Sequence, residues 1–129
     1  MNYLLDTNVF IWWGENPNQL SPTVRDICAT PEHTRYLSLA SVWEMQIKIQ
    51  TGKLDLQIPL AQMVDFQMRY AQIRLLPITL DHIYTLKQLV LADHRDPFDR
   101  LLIAQAIHEN IPILSHDSNI AKYPVRVIW

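Results

Sequence analysis

Four acidic residues, spread along the chain, stand beside predicted boundaries between strands and turns or helices. Asp6 directly follows the apolar run Tyr3-Leu4-Leu5, and Asp117 follows a later apolar segment. Glu44 falls in the first turn of a helix that we predict after the second strand, and Asp99 in the first turn of a later helix. Ligands of open α/β sheets bind beyond the carboxyl ends of the strands, so we expect the first three acids at that edge. Asp99 joins them if its helix begins there.

Carboxylates gathered at one edge repel one another unless a cation neutralises them or some stay protonated. Oxygen ligands of this kind suit Mg²⁺, with Mn²⁺ as a substitute. The sequence therefore predicts a divalent metal site that contains Asp6, Glu44, Asp99 and Asp117. Asp96 is an additional acid, and its role as N-cap or ligand stays open. We favour Asp99 as the ligand, because an N-cap side chain accepts hydrogen bonds from backbone N–H groups.

Each of these acids also has a purely structural explanation. Ser41-x-x-Glu44 matches a capping box, in which Glu44 would bind the N–H group of the N-cap residue. Asp96-Pro97-Phe98-Asp99 matches the start of a helix, where acids stabilise the positive end of the helix dipole. Asp117 could cap a short turn. Taken singly, Glu44, Asp96 and Asp117 are better explained this way, whereas the set as a whole favours a common site.

Strands and helices alternate along the predicted chain. Apolar runs and turn residues predict strands at 3–5, 35–39, 73–76, 111–114 and 125–128. Capping residues and helical periodicity predict helices at 9–13, 22–29, 41–50 and 59–70, and a last one from 97 to about 107. Between these, Thr79 or Asp81 is expected to cap a helix whose apolar stripe lies at 83–91. Such alternation predicts βαβ units. The expected fold class is α/β, a three-layer α/β/α sandwich with a mainly parallel central sheet of four to five strands.

Length and composition favour one small intracellular domain. The 129 residues fit a single domain at 1–129, and 49% of them are hydrophobic, enough for a core of its own. One cysteine, Cys28, suits a reducing cytosol, where we expect a buried thiol. We find no membrane span, and Asp6 interrupts any signal-peptide core, so we expect a cytoplasmic protein. The net charge of −2 argues weakly against general nucleic-acid binding, unless a metal ion reverses the local sign.

The ordered set of motifs resembles the PIN-domain nucleases, and most closely the VapC-like toxins of bacterial toxin–antitoxin pairs. The motifs that carry the resemblance are Leu4-Leu5-Asp6-Thr7-Asn8, Ser41-Val42-Trp43-Glu44, His94-Arg95-Asp96-Pro97-Phe98-Asp99-Arg100 with its Leu-Leu-Ile-Ala-Gln-Ala continuation, and Leu114-Ser115-His116-Asp117. The resemblance covers the whole chain. It implies a PIN-like fold, an Mg²⁺- or Mn²⁺-dependent endoribonuclease that cleaves single-stranded or structured RNA, and an antitoxin that blocks its active site.

By position in these motifs, the family's acidic quartet matches Asp6, Glu44, Asp99 and Asp117, which the resemblance makes the catalytic, metal-binding residues. Many members have Thr where this chain has Ser115, which keeps the hydroxyl group. Metal-binding carboxylates need hydrogen-bond donors of their own, and the candidates are Thr7, Asn8 and Ser115. The cations that flank the acids in the third motif could bind RNA phosphate, and they are Arg95 and Arg100. Their structural alternative is a surface ion pair of little energetic value.

Two other functions remain open on the sequence. A phosphatase of the haloacid dehalogenase type would use Asp6 as its nucleophile, but Asn8 stands where that chemistry usually has a second Asp, and no catalytic Lys is evident. A non-enzymatic interaction module would use the acids only to bind a regulatory ion.

A homodimer is the last expectation. The segment Val9-Phe10-Ile11-Trp12-Trp13 places five apolar residues in about one and a half helical turns. A surface helix needs one apolar stripe, so part of this segment should stay uncovered by the core. The predicted helices at 60–70 and 83–91 could extend the patch.

Overall fold

The computed structural model describes residues 1–90 and 96–129. Its strands are β1 (Asn2–Leu5), β2 (Thr34–Ser38), β3 (Ile73–Leu76), β4 (Ile113–Leu114) and β5 (Val127–Ile128). Its α-helices are α1 (Thr7–Glu15), α2 (Pro22–Ala29), α3 (Leu39–Gln50), α4 (Leu60–Tyr70), α5 (Leu80–Thr85) and α6 (Pro97–Glu109). Short 3₁₀ turns lie at Pro17–Gln19, Leu86–Gln88 and Ile120–Lys122.

The five strands form one parallel sheet in the order β3-β2-β1-β4-β5. The chain builds outward from β1 to β2 and β3 on one side, and then crosses over to place β4 and β5 on the other side. The strand order therefore reverses at β1, and the crevice at its carboxyl end is the expected ligand site of such a sheet. Leu5 is in register with Leu114, so the residues that follow β1 and β4 meet at this crevice.

Helices cover both faces of the sheet, which confirms the α/β/α fold class. Successive strand residues point to opposite faces. Accordingly Tyr3 and Leu5 belong to one buried cluster, with Phe10 of α1, whereas Leu4 belongs to a second cluster, with Leu102 of α6. Cys28 is buried in the first cluster as a free thiol, and burial raises its pKa to about 12, as expected for an unreactive cysteine.

Local signals placed the elements, but several bounds differ from the prediction. α1 begins at Thr7 rather than Val9, β4 at Ile113 rather than Ile111, and β5 at Val127 rather than Val125. The helix expected to begin at Ser41 begins at Leu39, and Ser38 is its N-cap, accepting a hydrogen bond from the Ala40 N–H group. Glu44 is therefore the sixth residue of α3, not part of its first turn, and the capping-box explanation for Glu44 is wrong. The helix expected to run to Leu91 is α5, and Thr79 is its N-cap, as predicted. It ends earlier than expected, at Thr85, and continues as a 3₁₀ turn through Gln88, whereas Leu91 lies outside the described residues.

Across the residues that the structure describes, no helix has the length and apolarity that crossing a membrane requires.

Candidate active site

Asp6 lies at the centre of the crevice beyond β1. It is the N-cap of α1, and its Oδ1 accepts a hydrogen bond from the Thr7 N–H group at 2.7 Å. Its Oδ2 accepts a hydrogen bond from the Ser115 hydroxyl, also at 2.7 Å. Only 7% of Asp6 is exposed, although Asp is a residue that is rarely buried unless it is paired. Two donors from two neighbouring strand ends thus hold a buried carboxylate in one orientation.

The electrostatic environment of Asp6 disfavours its charged form. Burial raises the pKa of Asp6 above its ordinary value, and the negative charges of Asp117 and Glu44 raise it further. The hydrogen bonds from Ser115 and Thr7 act in the opposite direction and are outweighed. Three of the four predicted carboxylates therefore interact through one region, and a bound cation would relieve their repulsion.

Glu44 reaches the crevice from the second turn of α3 and is held by two neighbours. Its Oε1 lies 2.8 Å from the hydroxyl of Thr7, which in turn lies 2.9 Å from the hydroxyl of Ser41. A carboxylate only accepts, so Thr7 donates its single proton to Glu44 and accepts from Ser41. The Oε2 atom of Glu44 accepts from the Lys48 ammonium at 2.9 Å. Glu44 is buried, with 4% of its surface exposed.

Lys48 was not among the residues predicted from the sequence, although Glu44 and Lys48 have the i, i+4 spacing of a helical ion pair. The hydrogen bond that the Lys48 ammonium donates to Glu44 is the main cause that raises the pKa of Lys48, and the charges of Asp96 and Asp99 add to it. The two acids at the start of α6 therefore interact with the same ammonium group as Glu44. Ser41 was missed as well, because the sequence offered it only as a helix cap.

The loop after β4 positions Asp117. Ser115 Oγ, which donates to Asp6, also accepts from the Asp117 N–H group at 3.0 Å. The Oδ1 atom of Asp117 accepts from the Asn119 N–H group at 2.8 Å, so Asp117 caps the following turn. Its charge also acts on Asp6 and raises the pKa of that carboxyl group. One serine thus fixes the carboxylate of Asp6 and the backbone of Asp117 together.

The amino end of α6 carries the remaining two acids. Asp96 is the N-cap, and its Oδ1 accepts from the N–H groups of Phe98 at 2.9 Å and Asp99 at 3.2 Å, as the sequence predicted. Asp99 is the third residue of α6 and is half-buried. The Phe98 ring packs edge-on against Trp43 of α3, with ring centroids 5.0 Å apart, which fixes the start of α6 beside the helix that carries Glu44.

The remaining predicted residues contribute less to this geometry. Asn8 is exposed at the second position of α1. Arg100 donates to the carbonyl oxygen of Leu89 at 3.1 Å and contacts the Tyr123 hydroxyl at 3.3 Å, which favours a role in packing over phosphate binding. Arg95, the other predicted phosphate contact, lies outside the described residues.

The carboxylates are spaced more widely than the ligands of a closed metal site. No three of the carboxylates of Asp6, Glu44, Asp96, Asp99 and Asp117, all of them described, have oxygen atoms within 4.8 Å of one another. This spacing suits Mg²⁺, which keeps several water ligands and takes only one or two carboxylates directly. The all-oxygen donor set fits a hydrated divalent cation, and so does the raised pKa of Asp6, because a cation would stabilise its charged form.

Two open cavities flank different parts of the molecule. A cleft of about 330 Å³ lies between α3 and the start of α6, and it is lined by Glu44, Lys48, Lys53, Asp96 and Phe98, among others, but not by Asp6, Asp99 or Asp117. A groove of about 480 Å³ lies between the end of α1 and α4, and Trp13, Phe66, Gln67 and Tyr70 help to line it. The residues that line this groove include none of the predicted acids. Of the two cavities, the smaller cleft is therefore the one that predicted acids line, through Glu44 and Asp96.

Comparison with known proteins agrees with this architecture. The family model of the PIN domain matches residues 3–125, so the chain belongs to the PIN domain family. Members of this family are nucleases, and they generally use divalent metal ions. A search of the curated proteins found no match.

Solved structures share the fold at low sequence identity. The chain is similar to a chain of VapBC2 from Rickettsia felis bound to a DNA fragment from its promoter, with a TM-score of 0.70, 16% identity, and coverage of 99% of this chain and 98% of the other. It is also similar to a chain of FitAcB from Neisseria gonorrhoeae, with a TM-score of 0.62, 20% identity, and coverage of 98% and 96%. A toxin–antitoxin complex from Klebsiella pneumoniae gives a TM-score of 0.60 at 14% identity, with coverage of 98% and 96%.

Proposed function

We propose that this protein is a metal-dependent endoribonuclease and the toxin of a toxin–antitoxin pair. The observation that carries the nuclease assignment is Asp6, a buried carboxylate held by Thr7 and Ser115 and destabilised by the charges of Glu44 and Asp117. Such an arrangement is costly for folding alone, and strongly perturbed carboxylates cluster at functional sites. Membership of a nuclease family gives the reaction class, hydrolysis of a phosphodiester bond.

The proposed metal-binding residues are Asp6, Glu44, Asp99 and Asp117, with Mg²⁺ as the cation and Mn²⁺ as its substitute. When bound, such a cation lowers the pKa of a coordinated water and neutralises charge on the scissile phosphate. Asp6 supplies a carboxylate whose orientation Ser115 and Thr7 fix in advance, and Thr7 does the same for Glu44. Asp96 acts mainly as the cap that starts α6 at the cleft.

Lys48 is a positively charged residue of the proposed site. Its ammonium group pairs with Glu44 and is attracted by Asp96 and Asp99, so it offsets part of the negative charge in the cleft. A phosphodiester that entered a site of acids alone would be repelled. Lys48 is half-exposed, and its Nζ can therefore contact a substrate phosphate while its stem stays on α3.

The RNA substrate and the antitoxin rest on similarity. Two of the structural relatives are described as a toxin–antitoxin complex and as VapBC2 on promoter DNA. With the full-length match to their fold, this supports a toxin that acts on RNA in the cytoplasm as a single domain at 1–129, with a cognate antitoxin that blocks its cleft.

A homodimer is part of the proposal, with a different surface from the one that the sequence suggested. Val9 and Phe10 are buried, and Ile11, Trp12 and Trp13 are half-buried and pack against the core. A stripe along α3 is more exposed, and it consists of Leu39 at 40%, Trp43 at 58% and Ile47 at 37% exposure. Aromatic residues are enriched at the centres of interfaces, so this α3 stripe is the better dimer surface.

The deciding experiment incubates the purified protein with single-stranded RNA, with Mg²⁺, with Mn²⁺ and with a chelator. We expect internal cleavage that requires the cation and disappears in Asp6→Asn. Hydrolysis of a small phosphomonoester without RNA cleavage would support the phosphatase alternative. Metal binding without either activity would support the non-enzymatic module.

A further inference from the structure

A second group of potential metal ligands lies away from the acidic cleft, where α5 packs against the last turn of α6. One ligand atom each of His82, His108 and Glu109 lies within 4.8 Å of the other two. His82 is the third residue of α5, and His108 and Glu109 are the last two residues of α6. Among the described residues this is the only group of three His, Cys, Asp or Glu side chains with ligand atoms so close together.

The buried imidazole of His82 lacks a hydrogen-bond partner on the side that faces this group. His82 is 1% exposed, and its Nε2 atom has no hydrogen bond within the described structure. The nearest charged oxygen is Oε2 of Glu109 at 3.9 Å, which is too long for a hydrogen bond. Buried polar atoms are nearly always paired, so an unpaired ring nitrogen aimed at a carboxylate and a second imidazole needs an explanation.

We propose that His82, His108 and Glu109 form a binding site for Zn²⁺ that is separate from the catalytic cation. Two imidazoles and one carboxylate are a ligand set that Zn²⁺ prefers, whereas Mg²⁺ prefers oxygen. Glu109 Oε2 lies 3.9 Å from His82 Nε2 and 4.0 Å from His108 Nε2. Ligand atoms of a tetrahedral zinc lie about 3.3 Å apart, so closure requires a movement of well under an ångström. Water or Asp81, whose Oδ2 is 4.0 Å from His108 Nε2, completes the coordination.

The elements around His82 support this use of its imidazole. Burial lowers the pKa of His82, so the ring is neutral near pH 7 and available as a ligand. The Gln105 side chain, which donates to the Pro77 carbonyl at 3.3 Å, also lies 3.3 Å from Nδ1 of the ring, and a metal-bound histidine commonly donates its other N–H to a neighbouring oxygen. His108 and Glu109 are partly exposed, which gives the ion a path to the site.

Zinc binding requires a change of tautomer at His82, and this makes the proposal easy to test. Without metal, Nδ1 accepts the Thr79 N–H at 3.1 Å in a capping box, so the ring proton lies on Nε2. Zinc on Nε2 moves that proton to Nδ1, so the hydrogen bond from the Thr79 N–H group must break. The Gln105 amide, whose nitrogen is 3.3 Å from Nδ1, must turn its unpaired oxygen toward the ring to accept the proton. The competing explanation is an ordinary hydrogen bond from Nε2–H to Glu109, made by a small movement of Glu109, and it predicts no change of tautomer.

The experiment titrates Zn²⁺ against a chromophoric chelator with the full-length protein carrying Asp6→Asn, which weakens the acidic site. We expect one zinc per chain, at least a tenfold loss of affinity in Asp6→Asn/His108→Gln, and no loss in the matched control Asp6→Asn/His33→Gln. His33 is a half-buried histidine on another part of the chain. A second variant, Asp6→Asn/Glu109→Gln, should also lose affinity.

Nitrogen-15 spectra of the histidine rings give the independent readout. We expect the His82 signal to change from the Nε2–H to the Nδ1–H form as zinc is added. Equal zinc affinity in the His108→Gln and His33→Gln proteins, or an unchanged His82 tautomer at saturation, would overturn the proposal. Circular dichroism of each variant before titration excludes unfolding as the cause of any loss.

Discussion

The hydroxyl of Ser115 donates to Oδ2 of Asp6 across 2.7 Å, although 109 positions separate the two residues in the chain. The parallel pairing of β1 with β4 brings them together, because each residue directly follows its strand. The same oxygen of Ser115 accepts from the N–H group of Asp117, so one small side chain joins two of the proposed metal ligands.

Ser115→Ala should therefore damage the site without removing a carboxylate. The variant loses the donor to Asp6 and leaves the Asp117 N–H group without its acceptor, at a cost of about 1–3 kcal/mol in the free energy of unfolding. Loss of a group that orients a metal ligand typically lowers activity by about 10–100-fold. Chemical denaturation and RNA cleavage rates measure the two effects. Ser115→Thr is the matched control, since it keeps the hydroxyl, and an equal loss in both variants would contradict this role.

Asp6→Asn should lower RNA cleavage by more than the about 10–100-fold expected for a group that only supports a ligand. Asparagine has nearly the shape of aspartate and is a good N-cap, so α1 should persist. The matched control is Asp65→Asn, an exposed carboxylate on α4 that pairs only with Arg69 among the described residues. Cleavage by Asp6→Asn at the rate of the Asp65→Asn protein would contradict the central assignment.

The raised pKa of Asp6 makes its contribution to stability depend on pH. Its carboxyl group holds a proton more tightly in the folded protein than at the ordinary pKa of 3.8, so the folded state binds more protons over the interval above pH 3.8. Stability from this group is complete below that pH and is lost as the pH rises through the folded pKa.

The Asp6→Asn variant has no carboxyl group at this position, so this dependence of stability on pH is absent from it. Without divalent ions, the free energy of unfolding of Asp6→Asn minus that of the wild type should therefore grow as the pH rises from 3.8 and then level off. Urea titrations of both proteins across the pH range, in the presence of a chelator, measure this difference. A difference that stays constant with pH would show that Asp6 titrates as an ordinary carboxyl group.

Mg²⁺ should raise the melting temperature through binding to the folded state. At a concentration of about 100 times the dissociation constant, binding adds about 2.7 kcal/mol to the stability. The shift should be several degrees for the wild type and much smaller for Asp6→Asn. Mg²⁺ is the suitable probe, because the histidine-containing site proposed for zinc has little affinity for it. Thermal scans over millimolar Mg²⁺ that show no shift would count against a metal site in the cleft.

Light scattering on the free protein tests the homodimer. We expect a dimer mass at tens of micromolar, and Trp43→Lys should give a monomer, because a charge at the centre of the α3 stripe would be buried unpaired. Tyr70→Lys is the control, an equally drastic change at a 74% exposed aromatic residue on α4. A monomer mass for the wild type would contradict the dimer and leave the apolar surface for an antitoxin. Loss of the dimer only in Tyr70→Lys would move the interface to α4.

The sequence alone predicted the alternation of strands and helices and the approximate place of each element. These features depend on signals that lie close together in the chain, such as the Asp96-Pro97 start of α6 and the Ser21-Pro22 start of α2. The same local signals placed Asp6 and Asp117 just beyond strands. They failed for α3, where Ser38 and Ser41 are both acceptable caps and Ser38 is the residue that caps the helix.

The tertiary structure decided which of these residues meet. The strand order brings together residues that are far apart in the chain. The hydrogen bonds from Ser115 to Asp6 and from Thr7 to Glu44 both join such residues. His82 and Glu109 likewise meet only because α5 packs against the end of α6. Strand pairing and helix packing depend on the burial of whole apolar faces, so no local pattern encodes these contacts. The sequence placed Asp6, Asp99 and Asp117 near the ends of elements, and the order of the strands brought the charges of Glu44 and Asp117 close to Asp6.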